Sequence, residues 1–115
     1  MRHVVARPDA KPLSEAVLLI LLSLAERPRH GYALMKDIES LSAGRVRLST
    51  GTLYGALRRL LQDQWIQRFE QADTSREKQA YRLTAEGRKQ LQLELDRMRQ
   101  LTRAGARLNT REASS

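Results

Sequence analysis

Apolar residues crowd into one early block of this 115-residue chain and then thin into regular stripes. The block is Val17, Leu18, Leu19, Ile20, Leu21, Leu22 and Leu24. It predicts a helix that starts near Leu13 or Ser14, with Ser14 as N-cap and Glu15 favourable in the first turn. The helix should stop near Arg27, because the residue before Pro28 is driven out of helical geometry. A helix apolar on all sides keeps no solvent face in a small domain. One side is therefore expected against its own domain, the other against a second chain or a long returning helix. A second helix follows Gly31, with Leu34, Ile38 and Leu41 on one face and Lys36, Asp37 and Glu39 on the wet side. Ser42-Ala43-Gly44 breaks it, and a third helix opens at Ser49 or Thr50 with Leu53, Leu57, Leu60 and Leu61 as its stripe. Two short amphipathic helices joined by a tight turn make a helix-turn-helix.

The period then changes from helical to alternating. Residues 65–70 read as one strand and 80–84 as its partner, with Tyr81 and Leu83 on one face; the polar stretch 71–79 is the loop between them. Thr84 caps a last helix over 85–108, where Leu91, Met98, Leu101 and Leu108, with Leu95 beside them, recur near a 3.5-residue spacing that suits packing against another helix. Residues 1–12 are expected to be a flexible basic arm, and 109–115 a disordered tail. The expected fold is mainly α with a small β-hairpin: a winged helix-turn-helix over 13–84 plus a C-terminal dimerisation helix.

Composition narrows the chemistry. Twenty-one Lys and Arg against 13 Asp and Glu give a net charge of +8, and 17 of the cations are Arg. A basic, Arg-rich domain favours phosphate-bearing partners, double-stranded DNA first among them. Aromatic residues are 4% of the chain, so the core must be aliphatic and base-stacking RNA recognition is poorly supplied. Without cysteine there is no disulfide, thiolate metal site or cysteine nucleophile. No Ser/His/Asp set, carboxylate pair or phosphate loop indicates an enzyme, and neither a metal nor another cofactor is expected. The apolar block falls short of the ~20 residues that span a bilayer. Arg2, Arg7 and Lys11 before it resemble the start of a signal peptide, but Glu26-Arg27-Pro28-Arg29-His30 stands where small cleavage-site residues would be. The reading is a buried helix in a cytoplasmic, nucleoid-associated protein.

The face of helix three away from its leucines holds Thr50, Gly51, Tyr54, Gly55, Arg58 and Arg59. Two glycines in the first two turns weaken the helix by ~1 kcal/mol each relative to alanine, so a helix selected for stability alone would lack them. They let the backbone approach a partner closely; Ser49, Thr50, Thr52 and Tyr54 bring hydroxyls, and Arg58 and Arg59 suit phosphate or guanine. Arg45 and Arg47 alternate with Val46 and Leu48 and point one way, either toward phosphate or into solvent. His30 either caps the turn or, with Tyr32, contacts phosphate. Trp65 reads as packing, and Glu94, Asp96, Arg97 and Arg99 as a solvated, internally paired face.

The strings His30-Gly31-Tyr32, Leu48-Ser49-Thr50-Gly51-Thr52-Leu53-Tyr54 and Tyr81-Arg82-Leu83-Thr84, then Gly87, resemble those of PadR-like transcriptional regulators, over about residues 13–108. The short last helix is similar to that of the family's small subgroup. The resemblance implies a homodimeric repressor with helix three in the major groove and the hairpin wing on the flanking backbone, responsive to a small hydrophobic or aromatic effector. It makes Ser49, Thr50, Gly51, Thr52, Tyr54, Arg58 and Arg59 the candidate recognition residues. The backbone candidates are His30, Tyr32, Lys36, Arg45, Arg47, Arg76 and Lys78. Val17, Leu18, Leu21, Leu91, Leu95, Met98 and Leu101 would form the dimer interface, whether as a dry seam or as the wall of an effector cavity. Two departures stand out. Gln64 replaces the family's usual Gly at the helix-to-strand corner, where a left-handed residue would suit Gly or Asn better. The wing stretch Arg76-Glu77-Lys78-Gln79-Ala80-Tyr81 is less basic than usual. The alternative is a winged helix that pairs with another regulator and reads no DNA sequence.

Overall fold

A computed structural model describes residues 12–69 and 79–114. The chain runs α1 (Glu15–Glu26), β1 (Arg29–His30), α2 (Gly31–Leu41), α3 (Thr50–Gln62), β2 (Ile66–Phe69), β3 (Ala80–Leu83) and α4 (Ala85–Ser114). This is a mostly helical winged helix-turn-helix with a small antiparallel sheet.

Three helix starts are set by a hydroxyl. Ser14 Oγ accepts from Val17 N at 3.2 Å, Ser49 Oγ from Thr52 N at 3.1 Å and Thr84 Oγ1 from Gly87 N at 3.0 Å, each satisfying an amide the helix cannot. The ends of α2 and α3 are built alike. Gly44 N bonds to Glu39 O at 2.8 Å and Ala43 N to Ser40 O at 3.1 Å; Trp65 N bonds to Leu60 O at 3.0 Å and Gln64 N to Leu61 O at 3.1 Å. Both are Schellman turns, and both place a non-glycine residue in the left-handed region, Ala43 at φ 54° and Gln64 at φ 64°. The corner at Gln64 is the left-handed one that the departure from the family pattern raised. It is locked from the far side: Thr84 N bonds to Trp65 O at 3.0 Å and Thr84 Oγ1 donates to Gln64 O at 2.6 Å. A side chain at Gly87 would run into the carbonyl of Trp65, so α4 starts against this corner only because residue 87 is glycine.

The sheet order is β1-β3-β2, all antiparallel, with Ile66 opposite Leu83 and Arg29 opposite Tyr81. The expected two-stranded hairpin thus gains a third strand, β1, and its first strand is shorter, since Trp65 belongs to the corner. The core lies beneath the sheet: Ile20, Leu21, Leu34, Ile38, Leu53, Leu57 and Ile66 are fully enclosed. The all-apolar α1 is covered on its several sides by α2, β3 and α4 of the same chain, so the returning helix was the correct alternative for most of its surface.

Several expectations are corrected. Leu41 is exposed rather than core, because the chain turns away at Ser42 before anything covers the last turn of α2. Asp37 is not on a wet face: its carboxylate accepts from Ser23 Oγ at 2.6 Å and lies 3.4 Å from the buried Arg29 guanidinium, which also binds Glu26 and Ser23 O. Glu94 is likewise buried, not solvated. It accepts from Leu13 N at 3.2 Å and from Arg97 Nε and Nη2 at 3.1 and 2.7 Å, pinning the start of α1 to α4. These bonds, those from Arg97 foremost, hold its carboxyl below the ordinary value against the opposing effect of burial. α4 continues to Ser114, past Leu108 and through most of the stretch expected to be disordered. The arm through Lys11, the wing loop 70–78 and Ser115 lie outside the described residues.

Candidate nucleic-acid interface

α3 buries Leu53, Leu57 and Leu60 and leaves the opposite face open. Along that face Gly51, Gly55, Arg58 and Gln62 follow one another at helical spacing, all exposed, with Thr52 and Arg59 on one flank. A methyl group built at Gly51 or Gly55 would meet no atom within 4 Å beyond its chain neighbours and the adjoining backbone of α3 itself, among the described residues. Neither glycine is in the left-handed region, so the fold requires glycine at neither position. Among the described residues no carboxylate pairs with Arg58 or Arg59. The helix start adds to this positive face, because its first amides lack partners inside the helix.

The other expected recognition residues are placed differently. Ser49 is committed to the cap: besides accepting from Thr52 N, its Oγ donates to Thr52 Oγ1 at 2.9 Å, which leaves the Thr52 hydroxyl proton free to point outward. Thr50 is exposed at the first turn. Tyr54 is not on the open face. It is half-buried beside the core, and a side chain at Gly31 would strike its phenol oxygen and come within 2.9 Å of Cζ. Tyr54 therefore packs α3 onto the start of α2, and Gly31 is glycine to admit its ring.

Of the backbone candidates, Tyr32 is 65% exposed, and Lys36 Nζ sits 5.7 Å from its ring centroid, so α2 presents an aromatic-cation pair. His30 precedes α2 but makes no side-chain cap bond, and its Nδ1 is buried with no partner among the described atoms, which removes the capping role. Arg45 is paired with Glu15 at 2.5 Å and Arg47 Nε with Glu39 at 3.5 Å. Phosphate contact by either would have to displace a carboxylate of the same chain. Arg76 and Lys78 lie outside the described residues. Two residues missed in the sequence flank that loop: Arg82 stacks 5.2 Å from the Phe69 ring and Arg68 Nε bonds to Gln79 at 3.2 Å, both exposed. Alternation with the buried Tyr81 and Leu83 was the signal that could have found Arg82; Arg68 shares its side of the strand with the buried Ile66, so the period does not give it away.

The interface candidates divide along α4. Leu18, Leu21 and Leu91 are buried within the single chain and cannot form a dimer surface, while Val17 and Leu95 are half-buried. Met98 and Leu101 are exposed, as is Leu108 farther on. Leu95, Met98, Arg99, Thr102 and Arg103 line an open groove of about 390 Å³. Among the described residues no group of three or more His, Asp or Glu could hold a metal, and no helix is long and apolar enough to cross a membrane.

The model of the transcriptional regulator PadR-like family matches residues 20–93, from the middle of α1 to the first turns of α4. The chain belongs to the PadR-like family. PadR-like proteins are DNA-binding transcriptional regulators, which matches the open cationic face of α3. A 37.1 kDa uncharacterized protein in a transposon of Streptomyces fradiae is 38% identical over 89 residues, 77% of this chain. The chain spans only 24% of that relative's length. Two solved structures share the fold. A PadR family transcription regulator from Clostridium difficile superposes with TM-score 0.68 at 23% identity, covering 83% of this chain and 98% of its own. A PadR-like regulator from Bacillus cereus does so with TM-score 0.67 at 20% identity, covering 80% of this chain and 88% of its own.

Proposed function

We propose that this PadR-like regulator acts as a homodimer that reads a specific operator through the open face of α3 and represses transcription from it. The single observation that carries the reading is the exposed line of Gly51, Gly55 and Arg58 with Arg59 beside it, a cationic helix face bare of bulky side chains and without a carboxylate partner among the described residues. Thr50 and Thr52 bring hydroxyls to the same end, and the exposed Tyr32 with Lys36 on α2 is a further candidate for backbone contact. The distal half of α4 supplies the partner surface, with Leu101 58% and Leu108 61% exposed in a chain whose other leucines are mostly enclosed. A two-fold pairing there would set two α3 helices about one DNA turn apart. A small hydrophobic or aromatic effector would enter the α4 groove beside Met98 and weaken that arrangement.

Titration of the full chain onto a duplex carrying its own promoter region tests the reading. Binding is expected with a log–log salt slope of about −5 to −9, the signature of six to ten neutralised phosphates per dimer. Salt-independent binding, or none, would refute it, and a stable complex with another regulator in place of DNA affinity would establish the protein-pairing alternative.

A further inference from the structure

We propose that Gly55 is a specificity-determining residue: its bare Cα is where α3 lies against the methyl-bearing edge of a thymine in the major groove. This rests on α3 being the DNA-reading helix and adds to it a residue and a base.

The six glycines of this chain fall into three kinds: Gly44 has a left-handed backbone at φ 80°, Gly31 and Gly87 are packed against, and Gly51, Gly55 and Gly105 face open space. Gly31 and Gly87 are filled against, by Tyr54 and by the Trp65 carbonyl, and the fold could accept nothing larger there. Gly55 has open space where a side chain would go, ordinary helical backbone and a position in the middle of a helix that alanine would strengthen. The described chain gives no reason for its smallness, and unlike the equally open Gly105 it lies on the cationic face of α3.

The chemistry of the spot selects what that is. At the helix start the amide of Thr52 is taken by Ser49 Oγ and that of Leu53 by Ser49 O, so the amides still free are those of Thr50 and Gly51. An anion belongs there. Gly55 lies a full turn farther on, where its N–H is used by the carbonyl of Gly51 in the helical ladder. It offers a phosphate no donor. What it offers is a shallow bay of C–H surface, about 6 Å long from Gly51 to Gly55 at 1.5 Å per residue. Arg58 and Gln62 continue the same line. A flat, apolar projection fits such a bay, and the one the major groove presents is the thymine C5 methyl. The bases next to it would then face a guanidinium and an amide, groups suited to guanine and adenine.

The test uses the full chain and three kinds of duplex, read by fluorescence anisotropy. The first is its promoter fragment trimmed to the footprint, the second a scrambled duplex of equal length, and the third a set of promoter duplexes with single thymines replaced by deoxyuridine, which removes the methyl alone. The wild-type protein is expected to lose about fourfold in affinity at one thymine per half-site, the worth of one buried methyl. Gly55→Ala is expected to lose roughly tenfold or more on the promoter fragment, hold its affinity for the scrambled duplex and ignore the same deoxyuridine. It should also melt about 4 °C higher, which separates lost binding from lost folding. The proposal is overturned if Gly55→Ala binds the promoter as the wild type does, loses equally on both duplexes or keeps the deoxyuridine effect. Arg58→Ala run alongside tells the two failures apart. If it loses promoter binding while Gly55→Ala does not, this inference alone falls. If the wild type cannot tell promoter from scrambled DNA, the reading of α3 falls with it.

Discussion

α1 and α3 differ by one residue in length and meet in the same core, yet their outer sides are put to different uses. Of the 12 residues of α1, six are buried and most of the rest are apolar and half-covered. Of the 13 residues of α3 three are buried, and the side away from them carries two glycines and two arginines with no described counter-ion. A helix that serves only the fold is packed from every direction the chain can reach. α3 keeps one side bare, at a cost in helix stability of ~1 kcal/mol per glycine, and that side is the one the fold does not need. If the bare side of α3 is the DNA-reading one, as proposed, substitutions there and in α1 should separate binding from stability.

The largest effect belongs to α1. Ile20→Ala, at a fully enclosed position, should lower the unfolding free energy by about 2–5 kcal/mol in urea titrations while the fraction still folded binds DNA normally. A large loss of affinity at full folding would show that α1 also serves the partner. Gly87→Ala comes next: it forces a methyl into the Trp65 carbonyl, and the overpacking should destabilise by about 1–3 kcal/mol or more, seen as a lower melting temperature. That is the reverse of what the open glycines of α3 should do. Relief of the left-handed strain is smaller and of opposite sign. Gln64→Gly and Ala43→Gly should each stabilise by about 1 kcal/mol, since glycine adopts these dihedrals at no steric cost. An unchanged urea midpoint for both would contradict the strain.

The smallest effect is conditional on pH. The folded-state value of Glu94 lies below its unfolded one, so its contribution is complete above the ordinary carboxylate value of about 4.3 and fades as pH falls through the lowered value. Glu94→Gln should therefore flatten the acid side of a plot of urea midpoint against pH. An acid limb as steep as the wild type's would place the responsible carboxylate elsewhere.

What was legible in the sequence was what is decided locally. Ser14, Ser49 and Thr84 cap the helices they precede, because a cap depends on a hydroxyl and an amide three residues on. The left-handed corner at Gln64 was visible as a residue out of pattern. What was hidden depends on pairing across the chain. β1 is two residues long, too short for any period, and exists because β3 passes beside it some fifty residues later. Arg29 reads as surface charge until Ser23, Glu26 and Asp37 close around it. Tyr54 sits at the edge of the open face on a helical wheel, and only the nearness of Gly31 turns it inward. The last turns of α4 read as a tail because they are polar, yet Arg, Glu and Ala are good helix formers whether or not a core lies beneath them.

The central claim, that the open face of α3 meets the DNA, is tested most directly by removing its two arginines together. Affinity of the Arg58→Ala, Arg59→Ala double variant for the promoter duplex, measured across a salt series beside its urea midpoint, should fall at least tenfold or so, with the log–log slope shallower by about two per protomer and the midpoint unmoved. An unchanged slope and affinity, with the protein folded, would contradict the account.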